Sequence, residues 1–510
     1  MKKLIEKHIN LILWILITAT HLSKFVLSGK GLLTEPDEKR YYMTWSFLKH
    51  LSQGDLQGSI QAIFYLKSGR PIGFVLHSIP ASLQFLSAKL FQLELFESKN
   101  AWPVFLYNFL IITLILYVLY RIFILIFQSE TIALTGVFLT GIMVNYFVYL
   151  RHIYPYNEAL LLLLLLTYRI IKYYQYKEKI YFKQSFRCGF LAFTAILIYP
   201  AYYLYFIALF ILFALSRFEV EKQKVRWIRQ LISYGAGSLF ALFLIEILSH
   251  IAGMSYIENV LQLSGTVIQG SFQENFVFLF KYLWEVEKLN GLLTALGIAL
   301  FILLIIREKN ISKNIFVLLF VSFFIPFLWH ASMGYFFHKY TFYGRIIHQF
   351  YPVIIIMNLY VLSKINPQKT NYIIFIISIL MTVQYIFQIN SYQKIAYPRD
   401  VYWTYLKKYP KKNITEISEY KNSWTNLPLR LDSIYVEPKL KDKIIIVNGQ
   451  YFYPVDQASK YQKYTVKTGQ IIFDKPHFIN YKAYQYEGYG IEERRLIDRL
   501  QFRIKVIKPE

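Results

Sequence analysis

Three carboxylates, Glu35, Asp37 and Glu38, stand within four positions just after the first apolar run of the chain. A carboxylate within hydrogen-bond reach of a hydroxyl can take its proton and act as a general base. Charges this close to hydrocarbon are costly unless a polar cavity or a partner receives them, which argues for a functional site. Further along, Arg151, His152, Tyr154, Asn157 and Glu158 share one short stretch between apolar runs. His338, Lys339 and Arg345 share another, and Arg70-Pro71 closes the acidic loop. Arginine presents a planar fork that matches phosphate oxygens, whereas lysine presents a point charge. A carboxylate base together with such cations suits glycosyl transfer from a lipid-phosphate sugar. The acceptor hydroxyl loses a proton, and the departing phosphate needs charge stabilisation more than it needs a proton.

Something must hold these residues on one side of a barrier. Of the 510 residues, 55% are hydrophobic and only 17% charged, too apolar a balance for an ordinary soluble protein. Runs such as Leu110 to Leu119, Ala159 to Leu166 and Ile373 to Met381 recur along the first 390 residues, as in a polytopic membrane protein. The first run lacks a small-residue cleavage site and is long enough to remain as an anchor. The formal charge of +25 falls largely in short loops between runs, as the positive-inside rule produces, so nucleic acid is excluded as its partner. A single cysteine, Cys188, excludes an intramolecular disulfide, a Cys-rich zinc site and a CxxC redox pair.

Lys2, Lys3 and Lys7 place the N-terminus in the cytoplasm, so the acidic stretch emerges on the outer face. Residues 71–96 then decide the topology. If they lie along the outer surface or re-enter, the basic loops at 172–187, 222–229, 307–313 and 364–369 all fall inside; if they span, all fall outside. The spacing therefore predicts about eleven transmembrane helices: 9–26, 102–126, 131–150, 157–174, 187–200, 202–217, 231–251, 290–306, 315–331, 346–363 and 371–388. A break at Tyr199-Pro200 separates two short ones. Residues 28–100, 151–158, 252–289 and 332–345 then share the outer face. From about Asn390 the composition turns to Lys, Tyr, Asp and Pro. Strands at 444–447 and 502–507 and a helix at 492–500 predict a small extracytoplasmic α/β domain over 391–510. The fold class expected is an all-α polytopic membrane protein over 1–390 with that domain appended.

Each residue has a plainer account. Arg345 and Lys339 could anchor a helix end at headgroups, and Arg70 could snorkel. Glu158 could cap a helix or pair with Arg151. Glu246 and His250, one turn apart, read as an interfacial pair. Their shared sidedness is what raises the set above its members.

Asp37-Glu38 followed by Tyr41 resembles the Asp-Glu-x-x-Tyr signature in the first outer loop of the GT-C superfamily of integral-membrane glycosyltransferases. The nearest branches are the protein O-mannosyltransferases and the lipid A aminoarabinose transferases. Arg70-Pro71-Ile72 is similar to their basic-Pro-Pro-Leu element, with the second proline missing. Arg151 to Leu160 resembles their second acidic motif, with Glu158 for the commoner Asp. Lys339 to Arg345 leading into Tyr351-Pro352 is similar to their Lys/Arg-Tyr-x-x-Pro region. The resemblance covers about residues 1–390. It implies an inverting transferase that uses a polyprenyl-phosphate sugar donor and a lipid, glycan or protein acceptor. Asp37 would be the base, with Glu38 as its partner or an acceptor contact. Arg70, Arg151, Glu158 and His338 would bind or orient substrate, and Lys339 and Arg345 would hold the phosphate. Some members need a divalent metal and others do not, and the residues leave both open.

Two other classes compete. O-antigen polymerases and ligases place their long outer loop late in the chain, whereas the longest inter-span loop here is the first. A lipid-linked glycan flippase or other transporter should show related halves and polar residues mid-span, and the mid-span positions read as almost wholly apolar. A scaffold role would leave the clustered outer charges unexplained.

Overall fold

The computed structural model describes residues 2–27, 32, 38, 40–64, 69–221, 223–267, 274–307, 314–337, 342–401, 404–405, 414–417, 444–448, 470–487 and 489–508. Among these, seven helices are long and apolar enough to cross a bilayer: His8–Leu27, Ser98–Phe127, Pro200–Val220, Lys224–Ile251, Phe278–Ile306, Ile315–Phe337 and Lys369–Gln393. The chain is a multi-pass membrane protein. The other expected apolar segments are also helical, at Tyr156–Gln175, Phe182–Ile198 and Tyr351–Ser363. The break before Pro200 is present: a helix ends at Ile198, and a 3-10 turn over Pro200–Tyr202 opens the next.

Lipid tails are as apolar as leucine, so membrane helices gain little by hiding large apolar side chains and pack through small ones. Lys224–Ile251 buries Ser233, Gly237, Ser238 and Ala241 while exposing Leu239, Phe243 and Ile247. A Cβ added at Gly189 would collide with the Tyr234 carbonyl, and one at Gly237 with the Phe186 carbonyl. Those two helices touch backbone to backbone, and Ser238 Oγ donates across the contact to Gly189 O at 3.0 Å.

The expected helix over 131–150 is instead broken, into Glu130–Gly141 and Asn145–Arg151, bent by 66°. Thr140 donates back to Gly136 O at 2.8 Å, a local bond that bends helices. The carbonyl of Gly141 accepts from Lys24 Nζ. Across the break, the Val144 N–H donates to the Glu287 carboxylate at 3.1 and 3.2 Å. A cation thus sits at the carbonyl end of one half-helix and an anion at the amide end of the next, each complementing the local dipole. Both side chains are buried. The broken backbone frees polar groups, and two charges, Lys24 near the end of the first span and Glu287 in the segment expected on the outer face, satisfy them.

Residues 71–96 form two short helices, Pro71–Leu76 and Ser78–Phe91. The second turns Pro80, Ala81, Gln84 and Ser87 to the protein and exposes Ile79, Leu83, Leu86 and Leu90. That inverted pattern suits a helix bathed in lipid at the interface.

The C-terminal part carries a four-stranded sheet of β1 (Ile414–Ile417), β2 (Ile444–Asn448), β3 (Gln470–Pro476) and β4 (Arg503–Lys508), in the order β1-β2-β4-β3. β1 runs parallel to β2, and β4 lies antiparallel between β2 and β3. The helix Ile491–Leu500 precedes β4. The end of the last span is stitched to this sheet: Ala396 N–H donates to Pro476 O at 2.8 Å, and Phe478 N–H to Ala396 O at 3.1 Å.

Candidate functional site

The loop that carries Arg151 and His152 is fixed from beneath. Asn108, on the Trp102–Phe127 helix, donates its side-chain amide to the carbonyls of Leu150 at 3.1 Å and His152 at 2.6 Å. Above that loop lies Glu38, fully buried. Its Oε1 accepts from the Ile153 N–H at 3.1 Å, and its Oε2 lies 3.1 Å from His152 Nδ1. His152 Nε2 is in turn 2.7 Å from the hydroxyl of Tyr484, which also meets the hydroxyl of Tyr397. Burial pushes the Tyr484 and Tyr397 hydroxyls well above the ordinary tyrosine value, so they remain neutral and able to donate.

Arg151 is buried over the Tyr397 ring, 4.0 Å from its centroid, with Nη2 3.5 Å from Asp400 Oδ2. Asp400 Oδ1 accepts from Ser98 Oγ at 2.9 Å. Of the two plainer accounts of Glu158, a pairing with Arg151 is not the one adopted: the guanidinium meets Asp400, 249 residues on, instead.

Glu158 lies in the first turn of Tyr156–Gln175, where a helix end favours negative charge. It is buried with one oxygen 3.2 Å from His77 Nε2, yet the approach lacks hydrogen-bond geometry. With Tyr107 also beside it, neither carboxylate oxygen makes a well-formed hydrogen bond among the described residues. A buried acceptor left unsatisfied is unusual in a folded protein and marks a place for a ligand or water.

Arg70 does not snorkel. It is buried, with its guanidinium 5.6 Å from the centre of the Tyr199 ring. Tyr199 packs on Tyr156 at 4.5 Å, Tyr156 stacks on Tyr154 at 4.7 Å, and Tyr154 stacks on His152 at 5.2 Å. One aromatic ladder therefore runs from Arg70 to the Glu38–His152 pair. Arg345 joins at its middle, with Nη1 donating to Tyr156 Oη at 3.0 Å. The C-terminal segment supplies further contacts: Nε lies 2.8 Å from Glu487 Oε2, and Nη2 donates to Glu487 O at 2.9 Å. Tyr149 Oη donates to Glu487 Oε1 at 2.6 Å.

The structure thus brings Glu38, Arg70 and Arg345 around one ladder, with Arg151 reaching it through Tyr397, whose ring lies 6.0 Å from that of His152, and Glu158 two residues beyond Tyr156. Asp37, His338 and Lys339 lie outside the described residues. Sequence reasoning missed Asp400, Tyr397, Tyr484, Glu487 and His77. The first four belong to or border a Lys- and Tyr-rich region with no motif, so only the fold reveals them. His77 stands in a segment singled out for topology, and its proximity to Glu158 had no sequence signal. Among the described residues no three His, Cys, Asp or Glu side chains gather as metal ligands. No family model matches the chain, and no curated protein matches it.

Proposed function

We propose that this protein is a membrane glycosyltransferase of the GT-C kind, moving a sugar from a polyprenyl-phosphate donor to a hydroxyl of a lipid, glycan or protein acceptor. The observation that carries the reading is the meeting, beside the helix ends and on one aromatic ladder, of an oriented carboxylate (Glu38), an unsatisfied one (Glu158) and three arginines. Asp37, next to Glu38 in the chain, takes the acceptor proton as the new bond to the anomeric carbon forms. The bond from that carbon to the donor phosphate oxygen breaks with inversion, and the phosphate leaves with the electron pair. Arg345 is the cation best disposed to receive it, with Lys339 and His338 assigned to the same role from their place in the sequence. Glu158 accepts from a sugar hydroxyl, and Arg70 and Arg151 supply positive potential around the donor.

The same proposal includes about eleven crossings, a cytoplasmic N-terminus, a C-terminal domain outside the membrane, and residence in a bacterial inner membrane. Sugar transfer from a polyprenyl-phosphate donor pool in membranes tests it, comparing the parent chain with Asp37→Asn. Loss of about a hundredfold or more with unchanged expression is the expected outcome, given what a general base contributes. Retained transfer removes Asp37 from the mechanism.

A lipid-linked glycan transporter is favoured by one observation, the broken helix with Lys24 and Glu287 buried at its two ends. Discontinuous spans form the sites of many transporters. Both charges here already serve the free ends of the half-helices, so the break needs no cargo to account for it. Lipid flipping that survives Asp37→Asn but fails in Glu287→Gln would reverse that preference.

A further inference from the structure

A cavity of about 560 Å³ opens at the seam between the Lys288–Ile306 helix, the Pro367–Gln393 helix and the C-terminal segment Asn480–Ala483. Its walls are graded. On the Pro367–Gln393 helix, Ser391, Gln388, Gln384 and Leu380 follow one another down the groove at intervals of three and four, the spacing of one helix face. Polar residues therefore line the end nearest the C-terminal domain, and apolar ones line the other end, about 16 Å away along the axis. Val383 and Phe387 beside them are exposed. On a membrane-spanning helix that exposure faces lipid, so the groove opens into the bilayer.

The upper end has the chemistry of a headgroup site. Lys288 is exposed at the mouth and makes no ion pair among the described residues. Trp284, one turn earlier and 63% exposed, marks the level where indole rings settle between headgroups and hydrocarbon. Lys482 stands beside it, held between Asp498 Oδ2 at 2.5 Å and Glu285 Oε2 at 3.6 Å, so Lys288 is the cation left for an anion. Two acceptors, Gln388 Oε1 and Asn480 Oδ1, are buried with no hydrogen-bond partner. The donor amides of these same residues are in use: Gln388 Nε2 binds Val286 O at 3.0 Å, and Asn480 Nδ2 binds His477 O at 3.0 Å. What is missing at this end is a hydrogen-bond donor close to an anion.

We infer that this groove binds one phospholipid whose headgroup carries hydrogen-bond donors, with its phosphate at Lys288, its ammonium or hydroxyl groups at Gln388 and Asn480, and an acyl chain along Val383 and Leu380. The lipid bridges the membrane helices to the C-terminal domain. None of the ladder's own residues lines the groove, although Tyr481 on its wall packs against Tyr392 at 5.3 Å, and the site takes no part in the proposed transfer step.

Native mass spectrometry of the full chain, released from micelles containing phosphatidylethanolamine, phosphatidylglycerol or phosphatidylcholine, tests the assignment. One retained ethanolamine or glycerol lipid is expected at several-fold higher occupancy than the choline lipid, whose headgroup has no donor. Lys288→Gln should lower that occupancy several-fold, and Val383→Trp, which fills the groove from an already exposed position, should abolish it. Equal retention of the three lipids overturns the headgroup assignment. Retention unchanged in both variants overturns the site, leaving only unspecific annular lipid.

Discussion

Two carboxylate pairings border the aromatic ladder, and they differ in how tightly they are closed. Glu38 and His152 have no exposed side-chain surface, whereas Arg345 and Glu487 keep 18% and 14% of theirs. The first pair is bonded on both outer sides, to the Ile153 amide and the Tyr484 hydroxyl, so neither member can leave without orphaning a buried partner. The second joins two parts of the chain far apart in sequence and stays within reach of solvent. A closed pair suits a fixed reference for the site, and an open pair suits exchange. Under the proposed function, Glu487 occupies the arginine that the departing phosphate will need, and the two anions compete for it.

The largest effect that sharpens this contrast is the loss of the exchanging cation. Charge-assisted hydrogen bonds are each worth about 1.5–3 kcal/mol. Arg345→Ala should therefore lower transfer about ten- to a hundredfold at saturating acceptor, with Arg345→Lys recovering only part because it lacks the fork. An Arg345→Ala chain as active as the parent would remove this residue from the phosphate site.

Next comes the closed pair. Glu38→Ala leaves the Ile153 N–H buried without its acceptor, at a cost of about 1–3 kcal/mol. Thermal unfolding of Glu38→Ala in micelles should fall by several degrees, while Glu487→Gln, which keeps the acceptor for Tyr149 and removes only the charge of a partly solvated pair, should move far less. Equal shifts would erase the distinction between the pairs.

How much of this was legible beforehand follows from what each feature depends on. The helices were legible because the bilayer imposes length and apolarity on every crossing, and the break at Pro200 because proline carries its own stop signal. The break at Gly141 was not, because it rests on Lys24 and Glu287 meeting it from helices distant in sequence. Arg151, Glu158 and Arg345 were legible as charges beside apolar runs. Their partners Asp400, His77 and Glu487 were not, since nothing local distinguishes a carboxylate that crosses to another domain from one in solvent. The sheet was half legible: β2 is an apolar run and β4 alternates apolar with basic residues, whereas β3 is interrupted by Asp474 and Lys475.

A smaller effect concerns the attachment of the domain that supplies Tyr484 and Glu487. His477, where β3 meets the end of the last span, is buried, and burial lowers its imidazole from 6.5 to about 3. Between those values the unfolded chain binds a proton that the folded one refuses. The stabilisation is thus complete above pH 6.5 and declines as pH falls towards 3, by about 2 kcal/mol at pH 5. Protease cleavage in the C-terminal domain should accelerate between pH 7 and pH 5 in the parent, and lose most of that dependence in His477→Gln. An identical pH response in the two would place the sensitivity elsewhere.

The smallest effect tests exchange itself. Glu487→Gln keeps the side chain's size and its bond to Tyr149 but removes the charge that competes for Arg345. If Glu487 yields to the phosphate, the variant should bind donor more tightly, with KM lowered about two- to fivefold and kcat nearly unchanged, as for an exposed pair worth under about 1 kcal/mol. If Glu487 instead holds Arg345 in place for the phosphate, removing the charge loosens the guanidinium, and kcat falls while KM stays. Raising ionic strength separates the two further. It weakens the Arg345–Glu487 contact in the parent and should narrow the KM difference under exchange, whereas a positioning role leaves the kcat difference intact or wider.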